Sequence, residues 1–147
     1  MIALGPSFVA RKDAHFVVET NRGHDLGRLI SAGSAEPDTG VPGAVLGITT
    51  DRVLRAPADG IWEATTQIGR VVEKGDAVGA VSGLRVTASI SGLVRGLIRP
   101  GIRVTKGLKI GDIDPRGEKI SPHTISEKAL AISGGVLEGI LRVYARK

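Results

Sequence analysis

Apolar and polar residues alternate in short runs over most of this chain, and clusters of Gly, Asn, Asp and Pro separate the runs. That two-residue period describes half-buried strands joined by tight turns. Ala14-His15-Phe16-Val17-Val18-Glu19-Thr20 reads as a strand, Asn21-Arg22-Gly23 as a turn, and Leu26 to Ile30 as a second strand. The stretch from Ala32 to Gly47, rich in Gly and carrying Pro37 and Pro42, reads as a loop. Only the C-terminus changes period. Ile125, Ala129, Ile132, Val136, Ile140 and Val143 recur at spacings of three and four, which predicts an amphipathic helix with those residues on its buried face. Thr124 and Glu127 have the spacing of a capping box at its start. Gly134, Gly135 and Gly139 weaken such a helix, and they point to close backbone approach or to a break.

Between these ends the chain repeats itself at an offset of 32 residues. Ala56-Pro57-Ala58-Asp59-Gly60-Ile61 aligns with Ala88-Ser89-Ile90-Ser91-Gly92-Leu93. Further on, Gly69 meets Gly101, Lys74-Gly75 meets Lys106-Gly107, and Val78-Gly79 meets Ile110-Gly111, with no gap. A unit this short cannot bury an apolar face alone, so two copies are expected to close one core. Three segments follow: a β-rich N-terminal segment and loop over 1–54, the repeat over 55–113, and a linker with the C-terminal helix over 114–147, all packed as one unit.

Composition narrows the chemistry. At 147 residues with 41% hydrophobic side chains, the chain fits an ordinary globular domain, and with only 3% aromatics its core is expected to be aliphatic. There is no Cys, which removes disulfides, thiolate nucleophiles and Cys-ligated metals. No window approaches the length of apolar residues that spans a bilayer, so a cytoplasmic protein without a membrane partner is expected. The net charge of +5 is unevenly spread: residues 77–111 hold no acidic side chain and carry Arg85, Arg95, Arg99, Arg103, Lys106 and Lys109. Because aromatics are not interleaved with these cations, nucleic acid is not expected as a partner.

Three constellations could carry chemistry. Asp112 and Asp114, on one strand face at i, i+2, could act as acid and base, with His24 as a further catalytic candidate, or could simply hold Arg116 at the turn. Arg22, His24, Arg28 and Arg116 could bind an anion, the first three together with the Gly-rich loop around Thr39 to Gly43. His15, Glu19 and His24 are the weak candidates for a metal site, and their spacing is not distinctive. Phosphate loops of the Walker or dinucleotide type are absent, as is a Gly-x-Ser-x-Gly elbow.

The repeat resembles the biotinyl/lipoyl-like barrel-sandwich hybrid, a fold of two quasi-symmetric β halves. That resemblance implies a mainly β protein, a barrel-sandwich hybrid with an N-terminal β segment and a C-terminal helix. Carriers of this fold bear a modified lysine on the hairpin between the halves. Here that connection reads Gly79-Ala80-Val81-Ser82-Gly83-Leu84-Arg85-Val86, so neither a modified lysine nor a covalently attached cofactor is expected.

Longer strings resemble the YqeB family: Glu19 to Arg28, Arg52 to Pro57, Leu93 to Ile98, Lys109 to Gly117, Thr124 to Ala129 and Gly134 to Glu138. The resemblance implies an accessory, non-catalytic binding module in the maturation of selenium-dependent molybdenum hydroxylases. Its partners would be the hydroxylase or its maturation proteins, and its ligands molybdate, a selenium oxyanion or the molybdenum cofactor. Two other readings stand beside it: an enzyme acting on that cofactor or its selenium ligand, and an oligomeric anion or nucleic-acid binder. Family members carry a further N-terminal region of Rossmann-like character, so the chain is expected to correspond to the C-terminal part. Ser7 and Arg11 stand where glycines would suit a backbone anion cradle.

Overall fold

The structure, a computed structural model, describes residues 1–145, so the last two residues of the 114–147 segment lie outside it. The chain is mainly β with one C-terminal α-helix, and it divides into two compact units, Met1–Gly40 with Ile125–Lys147, and Val41–Thr124. The first unit therefore joins the two ends of the chain, which the sequence placed in separate segments.

In the first unit, β1 (Ile2–Leu4) runs parallel to β3 (Phe16–Val18), which pairs antiparallel with β4 (Leu29–Ile30). A second pair, β2 (Val9–Ala10) and β5 (Gly33–Ser34), is also antiparallel, so the expected loop from Ala32 begins with a short strand. Ala10, Val17 and Ala35 form the small core, with Ala3 and Ile30 against it. Helix α1 (Glu127–Tyr144) packs on β1, β3 and β4.

The helix is unbroken, and its start differs from expectation. Ser126 is the cap, its side chain accepting from Ala129 N–H, while Thr124 Oγ1 donates to the Ser121 carbonyl and Glu127 pairs with Arg22. The buried face differs too. Gly135 and Gly139 are its buried residues, and Ile125, Ile140 and Val143 of the expected face are substantially exposed. The reason is steric: a Cβ on Gly135 would collide with the Gly27 carbonyl, and one on Gly139 with Ile2, so the helix turns its two bare backbone positions toward the sheet.

The second unit realises the repeat. Strands β6 (Val53–Arg55), β7 (Gly60–Ala64), β8 (Val71–Val72) and β9 (Ala77–Val81) form one copy, and β10 (Leu84–Thr87), β11 (Gly92–Leu97), β12 (Arg103–Val104) and β13 (Lys109–Asp114) the other. They assemble into two four-stranded sheets, ordered β10-β9-β7-β12 and β6-β13-β11-β8. Each sheet thus takes its two central strands from one copy and both edges from the other. The exchange extends to single hydrogen bonds. Gly75 N–H donates to the Ala88 carbonyl and Gly107 N–H to the Ala56 carbonyl, both at 2.8 Å. Gly69 N–H donates to Val94 and Gly101 N–H to Trp62, again at 2.8 Å. Part of each copy's turn hydrogen bonding is thus supplied by the other copy. One core lies between the sheets, built from Trp62, Val78, Val81, Val94, Val104, Ile110 and Ile113 together with Leu54, Ala56, Val72, Val86 and Ala88. It is aliphatic except for Trp62, the chain's single tryptophan, and Gly79 leaves room for that ring because a Cβ there would overlap it. Between β9 and β10, Ser82 and Gly83 both adopt positive φ (50° and 77°), the backbone that a two-residue hairpin requires.

Candidate functional site

The expected acid–base pair lies on β13, where it is enclosed by cations. Asp114 is 2% exposed. Its carboxylate accepts from Arg116 Nε at 2.9 Å, Arg116 Nη2 at 2.7 Å and the Arg116 backbone N–H at 3.0 Å, and Arg95 Nη1 lies 3.7 Å away. Asp112 accepts from Arg52 Nη1 at 3.1 Å and faces Lys109 Nζ at 3.4 Å. Gly96 makes the space for that carboxylate, since a Cβ there would approach Asp112 Oδ1 to 2.8 Å. Arg52 is itself fixed, because its Nε and Nη2 donate to the Gly43 carbonyl at 3.3 and 3.1 Å.

Electrostatics decide what these groups can do. The bidentate hydrogen bond from Arg116 holds Asp114 below the usual carboxylate range against the opposing effect of burial, with the charges of Arg116 and Arg95 adding to it. An Asp kept ionised in this way accepts hydrogen bonds and has no proton to give at neutral pH. The network is built to fix the end of β13 and the turn that follows it.

The first-unit candidates are also engaged internally. Glu19 is 3% exposed. Its Oε1 accepts from Thr20 and Asn21 N–H, both at 2.7 Å, and Oε2 from Glu36 N–H at 2.8 Å. Burial pushes Glu19 up, but these three backbone donors and the charge of Lys128 outweigh it and hold the carboxylate below its ordinary value. His15 Nδ1 lies 2.7 Å from the Met1 ammonium, and His24 sits exposed on the turn. The structure does not bring His15, Glu19 and His24 together as ligands, and among the described residues no group of three or more His, Cys, Asp or Glu side chains could hold a metal ion. Arg22 pairs with Glu127, and Arg28 Nη2 with Asp25 Oδ1 at 2.7 Å, so both forks expected to meet an anion already meet carboxylates. Arg116 belongs to the other unit and to Asp114.

Sequence reasoning missed Arg52 and Arg95 as partners of the two aspartates. Arg52 is 60 positions from Asp112. Only the β6–β13 register, which pairs Val53 with Asp112, brings them together.

No family model matches the chain. The chain is 51% identical over 140 residues, 95% of its length, to the Escherichia coli protein described as uncharacterized protein YqeB. It is related to YqeB. That identity supports the YqeB family, although the chain spans only about a quarter (26%) of the length of YqeB.

Among solved structures, the chain is similar to a succinylglutamate desuccinylase/aspartoacylase from Rhodobacter sphaeroides, with 26% identity and a TM-score of 0.40 over 44% of this chain and 22% of that one. It is also similar to an aspartoacylase family protein from Mesorhizobium loti (18% identity, TM-score 0.41, 58% and 27% covered). A third is the ectoine utilization protein EutE from Ruegeria pomeroyi (22% identity, TM-score 0.41, 57% and 27% covered). Likenesses of this size carry neither the architecture nor the activity of those proteins to this chain. No helix among the described residues is long and apolar enough to cross a membrane.

Proposed function

We propose that this chain is a non-catalytic binding module of an accessory protein that matures selenium-dependent molybdenum hydroxylases, and that it works in the cytoplasm by contact with the hydroxylase or with another maturation protein. One observation supports the non-catalytic part: the two aspartates expected to do acid–base work are already committed, Asp114 to Arg116 and Arg95, Asp112 to Arg52 and Lys109. The maturation part rests on what the resemblance to the YqeB family implies, and the length of YqeB beyond this chain leaves the activity of the whole protein a proposal as well. For Val41–Thr124 we propose the barrel-sandwich hybrid architecture, supported by the reciprocal exchange of edge strands between the two copies of the repeat.

Affinity capture from a native bacterial extract at physiological salt, with and without nuclease, tests the partner. Mass spectrometry should find a molybdenum hydroxylase or its maturation proteins in both samples. Recovery of nucleic acid alone, or of no such protein, contradicts the proposal, because contacts to a phosphate backbone are lost with nuclease and weaken steeply with salt.

A further inference from the structure

We propose that a groove in the first unit binds a small anionic amphiphile, a carboxylate or phosphate that carries an apolar chain. The inference stands apart from the maturation role and concerns residues outside the aspartate network.

Two adjoining depressions, of about 560 and about 260 Å³, share Met1, His15, Phe16 and Val143 in their walls. Together they form one trough with unlike ends. Arg11 and Lys12 line the first end beside Asp13 and Ser31, so two cations face one carboxylate there, and Ile2, Ile140 and Tyr144 line the other end. A ligand that fits both ends has a negative head and an apolar tail.

The cationic end is built rather than incidental. The loop from β2 to Ala14 is tied by Arg11 N–H donating to the Ala14 carbonyl at 2.7 Å and by Asp13 N–H donating to Val9 at 2.9 Å. The Asp13 carboxylate accepts from Val9 N–H at 2.8 Å, which ties it to the loop, and the two cations beside it leave this end net positive. Arg11 Nε donates to the Ser31 carbonyl at 2.9 Å, which anchors the guanidinium at the rim. Among the described residues no carboxylate forms an ion pair with Arg11 or Lys12, so the charge of this end is available. Arg11 also holds a left-handed backbone (φ 70°), a conformation that glycine adopts without strain and arginine does not. At the other end, Gly139 brings the helix backbone down onto Ile2 and leaves Ile140, Val143 and Tyr144 exposed along the trough. An apolar chain laid there removes that surface from water.

Calorimetry and amide NMR with octyl phosphate test the site, with inorganic phosphate, octanol and octyltrimethylammonium as comparators. Octyl phosphate should bind about tenfold or more tighter than each comparator, since it alone satisfies both ends. Its amide shifts should map to Arg11–Phe16 and Gly139–Tyr144. Arg11→Gly relieves the backbone strain, so this variant should be no less stable than the parent and should still lose about tenfold in octyl phosphate affinity. Equal binding of octyl phosphate and octyltrimethylammonium would overturn the proposal, as would unchanged affinity in Arg11→Gly, because either result describes an amphiphile adhering to exposed helix side chains. Anionic lipid vesicles added as a further arm distinguish the source: capture that Arg11→Gly abolishes identifies a lipid headgroup, and binding of the monomer without vesicle capture identifies a soluble ligand.

Discussion

At the scale of single residues, two buried carboxylates organise the two units, and both are held ionised. Replacing Asp114 by Asn leaves Arg95 and Arg116 without their shared counter-charge, which should cost the second unit about 3 kcal/mol. Trp62 is fully buried in that unit, so its fluorescence during urea unfolding reads the loss directly. Glu19→Gln removes the charge that three backbone N–H groups share and should cost the first unit about 1 to 2 kcal/mol. Helix α1, which belongs to the first unit, supplies the circular-dichroism signal for that measurement. Acid should act in the same direction. A depressed carboxylate contributes stability that is complete above its ordinary value and is lost as pH falls through the lowered one. Glu19 therefore stabilises the first unit fully above about 4.5 and progressively less below it. In Glu19→Gln that part of the pH dependence should vanish from helix unfolding. Such roles were half visible beforehand: the sequence shows Asp114 beside Arg116, whereas the three backbone donors of Glu19 depend on the fold of the turn and on Glu36, 17 residues away.

At the scale of elements, the helix shows why its glycines are not equivalent. Gly134 has open space where a side chain would go, and Gly135 is pressed against the Gly27 carbonyl. Gly134→Ala should raise stability by about 1 kcal/mol through helix propensity alone. Its neighbour should respond with the opposite sign, Gly135→Ala losing about 2 kcal/mol as the helix is forced off the sheet. Thermal unfolding followed at 222 nm separates the two. The existence of this helix was legible from its three-and-four spacing, but its orientation was not. Hydrophobic periodicity weights Ile and Val, and here the closest approach is made by residues without side chains. The cap was misplaced for a related reason: Thr124 and Ser126 both offer a hydroxyl, and the winner is whichever lies three residues before a free helical N–H, here that of Ala129.

At the scale of the whole molecule, the repeat was the most legible feature because it is written in residue identities at a fixed offset. Strand exchange between the copies was not written there. It emerges from turns such as Lys74-Gly75 and Lys106-Gly107, whose donors reach across to the opposite copy. The pairing of the N-terminal strands with the C-terminal helix was equally hidden, since nothing local connects Gly27 with Gly135. Because the second unit holds its own core, the segment 41–124 should unfold cooperatively when produced alone, with the Trp62 near-ultraviolet signal of the intact chain.

We propose that the aspartate network shapes a binding module and performs no chemistry. An extract depleted of this protein and supplied with wild type or with Asp112→Asn tests it most directly, the fold of the variant being verified by the near-ultraviolet signal of Trp62. The expected result is that both restore molybdenum hydroxylase activity to the same level. Restoration by wild type but not by the folded variant would contradict a non-catalytic role, and failure of wild type itself would contradict the assignment to hydroxylase maturation.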